Sequence, residues 1–278
     1  MGDENSPVVY WKASGVLQDY VTGFHRFRVP HVPDGYQDAF LPSWATIRIT
    51  LDEAAPWSVR IGNRVFEPVP VASFFGPTSL AGYALSRGGT LLGVGLKPFG
   101  WTQLFGGDVS RYANRVVSLE SLDNGALALR HALADGGDVV TVFSQWLEAR
   151  LQRRPPADPR IAQLTAMLED PATTRIETMA EALEMAPRAL AAMTRFNFGF
   201  TPKLLLRRTR FLRALSGILT RPEDSALLLE QAGYWDRSHF LRDSHLFLGC
   251  SVRDFLRRRG PLNQIALGAR EKALGAAT

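Results

Sequence analysis

The 278-residue sequence contains a single cysteine, Cys250. One cysteine excludes an internal disulfide and a cysteine-based zinc site, which agrees with a reducing compartment. No run of eighteen or more uninterrupted apolar residues is present, so we expect no transmembrane helix and no membrane partner. The opening residues, MGDENSPVVYW, lack the basic start and apolar run of a secretory signal. We therefore expect a cytoplasmic protein.

Histidine is also scarce, with five residues in the whole chain. His25 and His31 stand six residues apart without a nearby cysteine or a cluster of carboxylates, which argues against a metal site. The glycine-rich stretches lack the Lys-Ser/Thr ending of a phosphate loop, and no nucleophile-and-base set follows from spacing. We predict no catalytic residue, no metal and no cofactor, and therefore no enzyme.

Lysine is rare too: the chain has 4 lysines and 28 arginines. Residues 1–155 hold 14 basic and 14 acidic side chains, whereas residues 156–278 hold 18 basic and 13 acidic ones. The whole net charge of +5 therefore lies in the C-terminal part. A basic half joined to a neutral half indicates a polyanionic partner, although a solvated charged surface is the simpler alternative.

The first hundred residues predict a small β structure. Four short runs are bounded by turn residues and read as strands, namely TIRITL (46–51), WSVRIG (57–62), VASFFG (71–76) and TLLGVGL (90–96). Short helices are expected within 97–108, and apolar residues at three/four spacing predict helix within 125–152. The apolar helix at 138–152 either closes the core of this domain or pairs two chains. RRPPADP (153–159) is the predicted boundary.

After residue 160 the pattern is helical, and one plan occurs twice. Gly199 and Gly249 stand fifty residues apart, and each follows a helix-turn-helix pattern. Thr201 and Pro202 open the long basic helix between the two units. Thr174 with Glu177 predicts a capping box ahead of the first unit. Two such units on one connector can enter successive major-groove segments about 34 Å apart.

The residues of both units resemble the AraC/XylS family of transcription regulators. The resemblance covers roughly residues 160–259, and its most specific run is GYWDRSHFLR (233–242). The run from Arg188 to Arg210, with GFTPKLLLRR inside it, is nearly as specific. FGP (75–77) and GVGLKPFGWTQLFG (93–106) are similar, more loosely, to one type of sensor domain attached to these regulators.

The resemblance implies a sequence-specific DNA-binding regulator. Its partners would be double-stranded DNA, a small-molecule effector of unspecified identity and RNA polymerase, and it would form a homodimer through the N-terminal part. The implied groove-reading residues are Arg188, Ala191 and Ala192 in the first unit, and Arg237, Ser238, His239 and Arg242 in the second. Lys203, Arg207 and Arg210 of the connector would anchor phosphates.

Several positions depart from the family pattern. Ala192 stands where the family has an arginine, and Thr194 and Ser244 stand where it has a core phenylalanine. We expect Met193 or Phe196, and Leu246 or Phe247, to fill those cores. Because arginine donates to guanine and alanine offers at most an apolar contact, the second unit is predicted to read sequence more strongly.

These observations define an α+β fold. We predict a small β-rich, jelly-roll-like sensor and dimerisation domain with flanking helices at 1–153. An all-α DNA-binding domain of two helix-turn-helix units joined by a long helix follows at 160–259, and 260–278 forms a disordered tail or one loose helix. The alternative is a protein-interaction module on an AraC-like scaffold with weakened DNA reading.

Overall fold

The computed structural model describes residues 6–52 and 56–274. Its first half is a sandwich of two antiparallel sheets. Ten strands form it: β1 (Val8–Trp11), β2 (Val21–Val29), β3 (Tyr36–Phe40), β4 (Thr46–Thr50), β5 (Trp57–Ile61), β6 (Arg64–Phe66), β7 (Ala72–Phe75), β8 (Gly82–Ser86), β9 (Gly89–Leu96) and β10 (Val116–Ser118). The larger sheet has the order β1-β2-β9-β4-β7-β10 and the smaller has β3-β8-β5-β6. All four strands predicted from the sequence are present.

Three helices cover the outer face of the larger sheet: α1 (Pro98–Leu104), α2 (Ala126–Ala134) and α3 (Val139–Leu151). Phe143 and Leu147 of α3 are fully buried against sheet residues such as Phe24 and Phe74. The apolar side of α3 therefore closes the core of this domain, the first of its two predicted uses. Burying one large apolar side chain contributes about 1.5–3 kcal/mol.

Side chains of β4 point alternately to its two faces, and this alternation determines which of them lie between the two sheets. Ile47 and Ile49 are fully buried in the core beneath the helices. Because neighbouring strand residues point to opposite faces, Arg48 points between the sheets. There it lines a cavity together with residues of β3.

The C-terminal half is helical. Its helices are α4 (Arg160–Glu169), α5 (Ile176–Ala182), α6 (Pro187–Phe198), α7 (Pro202–Thr220), α8 (Ser225–Gln231), α9 (Arg237–Leu248), α10 (Val252–Arg258) and α11 (Pro261–Leu274). Gly199 and Gly249 end α6 and α9 in the left-handed conformation, with φ of 86° and 72°. The Thr201 hydroxyl accepts a hydrogen bond from the Leu204 amide and caps α7, as predicted. Within the described residues no helix is both long and apolar enough to cross a membrane.

The predicted capping box at the start of α5 is wrong. Arg175, which follows Thr174, occupies the N-cap position, and its side chain makes no capping hydrogen bond. The helix thus begins one residue later than a Thr174 cap requires, and Glu177 forms an ion pair with Arg175 instead.

Within the predicted tail, Pro261–Leu274 form a helix, α11, which packs against β1, β2 and β3. This is the helical alternative of the prediction, and residues 275–278 lie outside the described part of the chain. Asp38 accepts hydrogen bonds from the amides of Gly260 (2.9 Å) and Asn263 (3.0 Å), and the Tyr36 hydroxyl accepts one from the Leu262 amide (2.8 Å). Gly260 is required at this point because a Cβ there would lie 2.5 Å from the Tyr36 hydroxyl. The chain therefore returns from the second helix-turn-helix unit to the sandwich.

Candidate nucleic-acid interface

The second helix-turn-helix unit is formed by α8 and α9. Asp236 caps α9 by accepting a hydrogen bond from the His239 amide at 2.6 Å. Arg237, Ser238 and Arg242 are exposed on this helix, as groove reading requires. His239 is half-buried, with its ring 4.9 Å from the Tyr234 ring and its Nε2 3.3 Å from Arg210. Three of the four predicted side chains therefore face solvent.

Sequence reasoning missed Leu241 on the same face. It follows Arg237 by four residues and Ser238 by three, and 37% of it is exposed. An exposed apolar side chain on a reading face is suited to contact a thymine methyl group. The 3.6-residue period, applied from Arg237 onward, could have found it.

The first unit is formed by α5 and α6. Pro187 starts α6, where its missing amide hydrogen is not needed. Arg188 and Ala192 are exposed, while Ala191 is half-buried. Arg195, which the sequence reasoning passed over, is exposed three residues after Ala192 and extends the same face.

Of the three predicted phosphate-anchoring residues of the connector α7, two are paired, and the third forms no ion pair with the described residues. Lys203 is exposed. Arg207 donates to the Asp243 carboxylate at 2.6 Å, and Arg210 approaches its other oxygen at 3.4 Å. Asp243 is fully buried and also accepts a hydrogen bond from the Tyr234 hydroxyl at 2.8 Å. This cluster fixes α9 against α7.

The pairing does not remove both arginines from the surface. Their side chains remain 37% and 32% exposed. A guanidinium has five N–H donors, so a carboxylate leaves others for a phosphate. Burial and the neighbouring Asp243 raise the pKa of Tyr234 above its usual value, which keeps its hydroxyl a donor to this carboxylate.

The two departures from the family's core phenylalanines are accommodated by local hydrogen bonds. Thr194 is buried and bonds to the Ala191 carbonyl, and Ser244 is buried and donates to the Cys250 carbonyl at 2.8 Å. Phe247 fills the core of the second unit, as one of the expected replacements. Phe196 and Leu246 are exposed, so neither refills a core; in the first unit Phe198 is buried and Met193 packs partly against that core.

The sandwich contacts both reading helices at their C-terminal ends. The Ala81 amide donates to the Phe247 carbonyl at 2.7 Å, and the Tyr83 hydroxyl donates to the Leu248 carbonyl at 2.6 Å. At α6 a Cβ on Gly199 would lie 2.8 Å from Pro77, so only glycine allows this approach. One segment, residues 77–83, therefore touches both units.

The same segment holds the connector. Arg208 is buried on α7, donates to the Thr78 carbonyl at 2.8 Å and lies 4.1 Å from the Trp44 ring centroid. Burial lowers the pKa of Arg208 to about 9. Thr78 and Ser43 exchange hydrogen bonds with each other. Ser43 and Trp44 in turn line the cavity between the sheets.

Residues 179–258 match the family model of a helix-turn-helix domain. No curated protein matches the chain. Among solved structures, an apo, singly substituted variant of ToxT from Vibrio cholerae is 10% identical, with a TM-score of 0.48 over 90% of this chain and 100% of that one. ToxT from the same organism bound to an unsaturated fatty acid is 11% identical, with a TM-score of 0.47 over 93% and 98%. The AraC-like transcriptional activator CuxR is 13% identical, with a TM-score of 0.27 over 76% and 88%.

Two helix-turn-helix units on one basic connector define the class: the protein is a DNA-binding transcriptional regulator. Its DNA-binding domain, matched at residues 179–258, is of the AraC type. The resemblance drawn from the sequence is thus confirmed for the C-terminal domain.

Proposed function

We propose that this regulator binds a specific DNA sequence through two successive major-groove segments, and that the second unit supplies most of the base discrimination. The observation that carries the proposal is the exposed face of α9. It presents Arg237, Ser238 and Arg242, which donate to bases or phosphates, beside the apolar Leu241. On α6 the corresponding centre of the face is Ala192, which offers no donor.

The connector is proposed to set the register of the protein on the duplex. Lys203 contacts a phosphate directly, while Arg207 and Arg210 bridge Asp243 to phosphate oxygens. Because Asp243 fixes these guanidinium groups before DNA arrives, little side-chain entropy is lost when they bind.

The test is selection of bound fragments from random DNA by the full-length protein, followed by anisotropy titration of the enriched sequence at two salt concentrations. We expect a motif with a strong and a weak half about one helical turn apart. Replacing Arg237 and Arg242 together by alanine should abolish the preference of the strong half, since each good bidentate contact discriminates by about 1–3 kcal/mol. Lys12→Ala with Arg87→Ala is the matched control, because it removes two exposed charges from the sandwich.

An unchanged motif in the α9 variant would overturn the assigned reading roles. Absence of any enriched motif, with no salt-dependent binding, would favour the interaction-module alternative. Phosphate contacts make the logarithm of the binding constant fall with the logarithm of salt concentration, with a slope of about −0.9 per neutralised phosphate.

We further propose that the N-terminal domain senses a small molecule in the cavity between its sheets. Two routes of contact support this role. One wall of the cavity, at Ser43 and Trp44, contacts Thr78 and Arg208, which lead to the connector. Another wall is α11, through Leu262 and Ala266, which continues from the second unit. A ligand that changes the position of either wall would alter DNA affinity, whereas one that binds both states equally would not.

Homodimerisation through the N-terminal domain and contact with RNA polymerase belong to the same proposal. Sedimentation of the full-length protein with and without DNA measures the first. A single species of monomer mass at both conditions would overturn it.

A further inference from the structure

The cavity between the two sheets is small and strongly aromatic. It has a volume of about 170 Å³, and its aromatic walls are Tyr10, Phe27, Tyr36, Phe40, Trp44 and Trp57. A dry engineered cavity of about 150 Å³ accommodates benzene. The space therefore suits a body of one ring with a short substituent.

Arg48 brings a positive charge into these walls. Its guanidinium carbon lies 4.1 Å from the ring centroid of Phe75 and 5.0 Å from that of Phe40. Its Nε is buried without a hydrogen-bond partner in the described part of the chain. Across residues 6–52 and 56–274, no carboxylate forms an ion pair with it.

Asp38, an acidic residue in the cavity wall, forms hydrogen bonds with backbone amides and not with Arg48. One of its oxygens accepts from the amides of Ala39 and Gly260, and the other accepts from the Asn263 amide and lies 3.2 Å from the Tyr36 hydroxyl. Its charge is therefore directed to the start of α11 rather than to Arg48.

Arg48 is half-buried with a buried Nε. A cation withdrawn from water without an anionic partner is costly, and proteins usually pair such charges or neutralise them. Burial lowers the pKa of Arg48 to about 10, so the guanidinium is still protonated at neutral pH. The rings of Phe40 and Phe75 offset part of the cost, since the face of an aromatic ring attracts a cation. They leave the buried Nε–H of Arg48 without an acceptor, and a bound anion would supply one.

We propose that the cavity binds a small aromatic carboxylate, with its ring against the aromatic walls and its carboxylate paired with Arg48. This inference rests on the proposed sensing function and names the class of ligand. A monocarboxylate neutralises the single guanidinium one to one. A phosphate dianion would leave a net negative charge among apolar walls, and a neutral ligand would leave the arginine unpaired.

The test uses the full-length protein without DNA. Benzoate, cinnamate and phenylacetate are titrated by calorimetry and thermal melting, each beside its neutral amide, with phenyl phosphate as a further arm. We expect at least one acid to raise the melting temperature with concentration and to bind at least tenfold more tightly than its amide. Equal binding of acid and amide, preference for phenyl phosphate, or binding of none of the acids would overturn the proposal.

Variants of Arg48 test its role independently of which acid binds best. Arg48→Met keeps a long side chain without charge, so the acid and the amide should bind equally while the melting temperature of the free protein stays the same or rises. Arg87→Met, an exposed arginine, is the matched control and should retain the preference for the acid. Arg48→Lys keeps the positive charge but lacks the planar guanidinium. It should weaken acid binding about tenfold, and the acid should still bind more tightly than the amide.

A lower melting temperature of free Arg48→Met, with the acid preference intact, would make Arg48 a structural residue and overturn the assignment. Because no DNA is present, these outcomes are independent of the DNA selection. If the cavity binds the amide as well as the acid, the proposal that it binds a carboxylate is rejected, whereas the proposal that the domain senses a small molecule still stands.

Discussion

Asp243→Asn is the substitution that most directly tests how the second reading helix is held. The side chain keeps its shape and loses its charge. Asp243 is fully buried and holds Arg207 at 2.6 Å, Tyr234 at 2.8 Å and Arg210 at 3.4 Å. The asparagine oxygen still accepts one bond, but its NH₂ group faces donors where the carboxylate accepted.

The magnitude follows from these contacts. Breaking a fully buried ion pair costs about 3–5 kcal/mol. Because the two arginine side chains are 37% and 32% exposed, water recovers part of their solvation and the cost falls. We expect α9 to be destabilised by about 2–3 kcal/mol, close to the value of one or two charge-assisted hydrogen bonds.

Hydrogen exchange of the α9 amides measures this local stability. Protection should fall about 30- to 150-fold, since every 1.4 kcal/mol is a factor of ten. Asp224→Asn is the matched control, because Asp224 pairs with Arg221 at 3.8 Å on the surface of the same domain. Its effect should stay below about 1 kcal/mol. Equal protection of α9 in the two variants would refute the view that the Asp243 cluster holds the helix.

Two further predictions concern the contacts between the domains. Asp38→Ala removes the acceptor for the first amides of α11, so exchange across 261–266 should rise by the equivalent of about 1–2 kcal/mol; exposed Asp34→Ala is the control, and unchanged exchange would contradict the anchoring role. Tyr83→Phe leaves the Leu248 carbonyl without its donor and should destabilise the end of α9 by about 1–2 kcal/mol in the same assay. Burial raises the pKa of Tyr83 to about 12, so this donor, and the effect of losing it, should persist from pH 6 to 9; Tyr112→Phe is the control.

The helix-turn-helix units could be predicted because their signals are local. Thr201 caps a helix that begins at the next residue, and Gly199 ends one by adopting a positive φ. Even here one local signal failed, since Thr174 lies one position before the N-cap that the chain uses. Local patterns therefore identify which elements form more reliably than where they begin.

The contacts that define the candidate sites are not local, and the sequence could not predict them. Arg207 and Arg210 mark a basic helix face, but their partner Asp243 lies 36 and 33 positions further along the chain. Alternation predicts that Arg48 and Ile47 point to opposite sides of β4. It does not show that a second sheet covers the side of Arg48 and makes it the wall of a cavity.

Two carboxylates, the buried Asp243 and the half-buried Asp38, give the reading units unequal support. Asp243 fixes α9 to the connector, and Asp38 fixes the start of α11, which follows the second unit directly. The first unit meets the sandwich through Asn197, 3.0 Å from Thr102, and through Phe198 against Trp44. A ligand that displaces α11 would therefore act first on the second unit, which carries most of the base donors. On this reasoning an effector that displaces α11 changes affinity mainly through the strong half of the DNA site, and a site reduced to its weak half would lose that response.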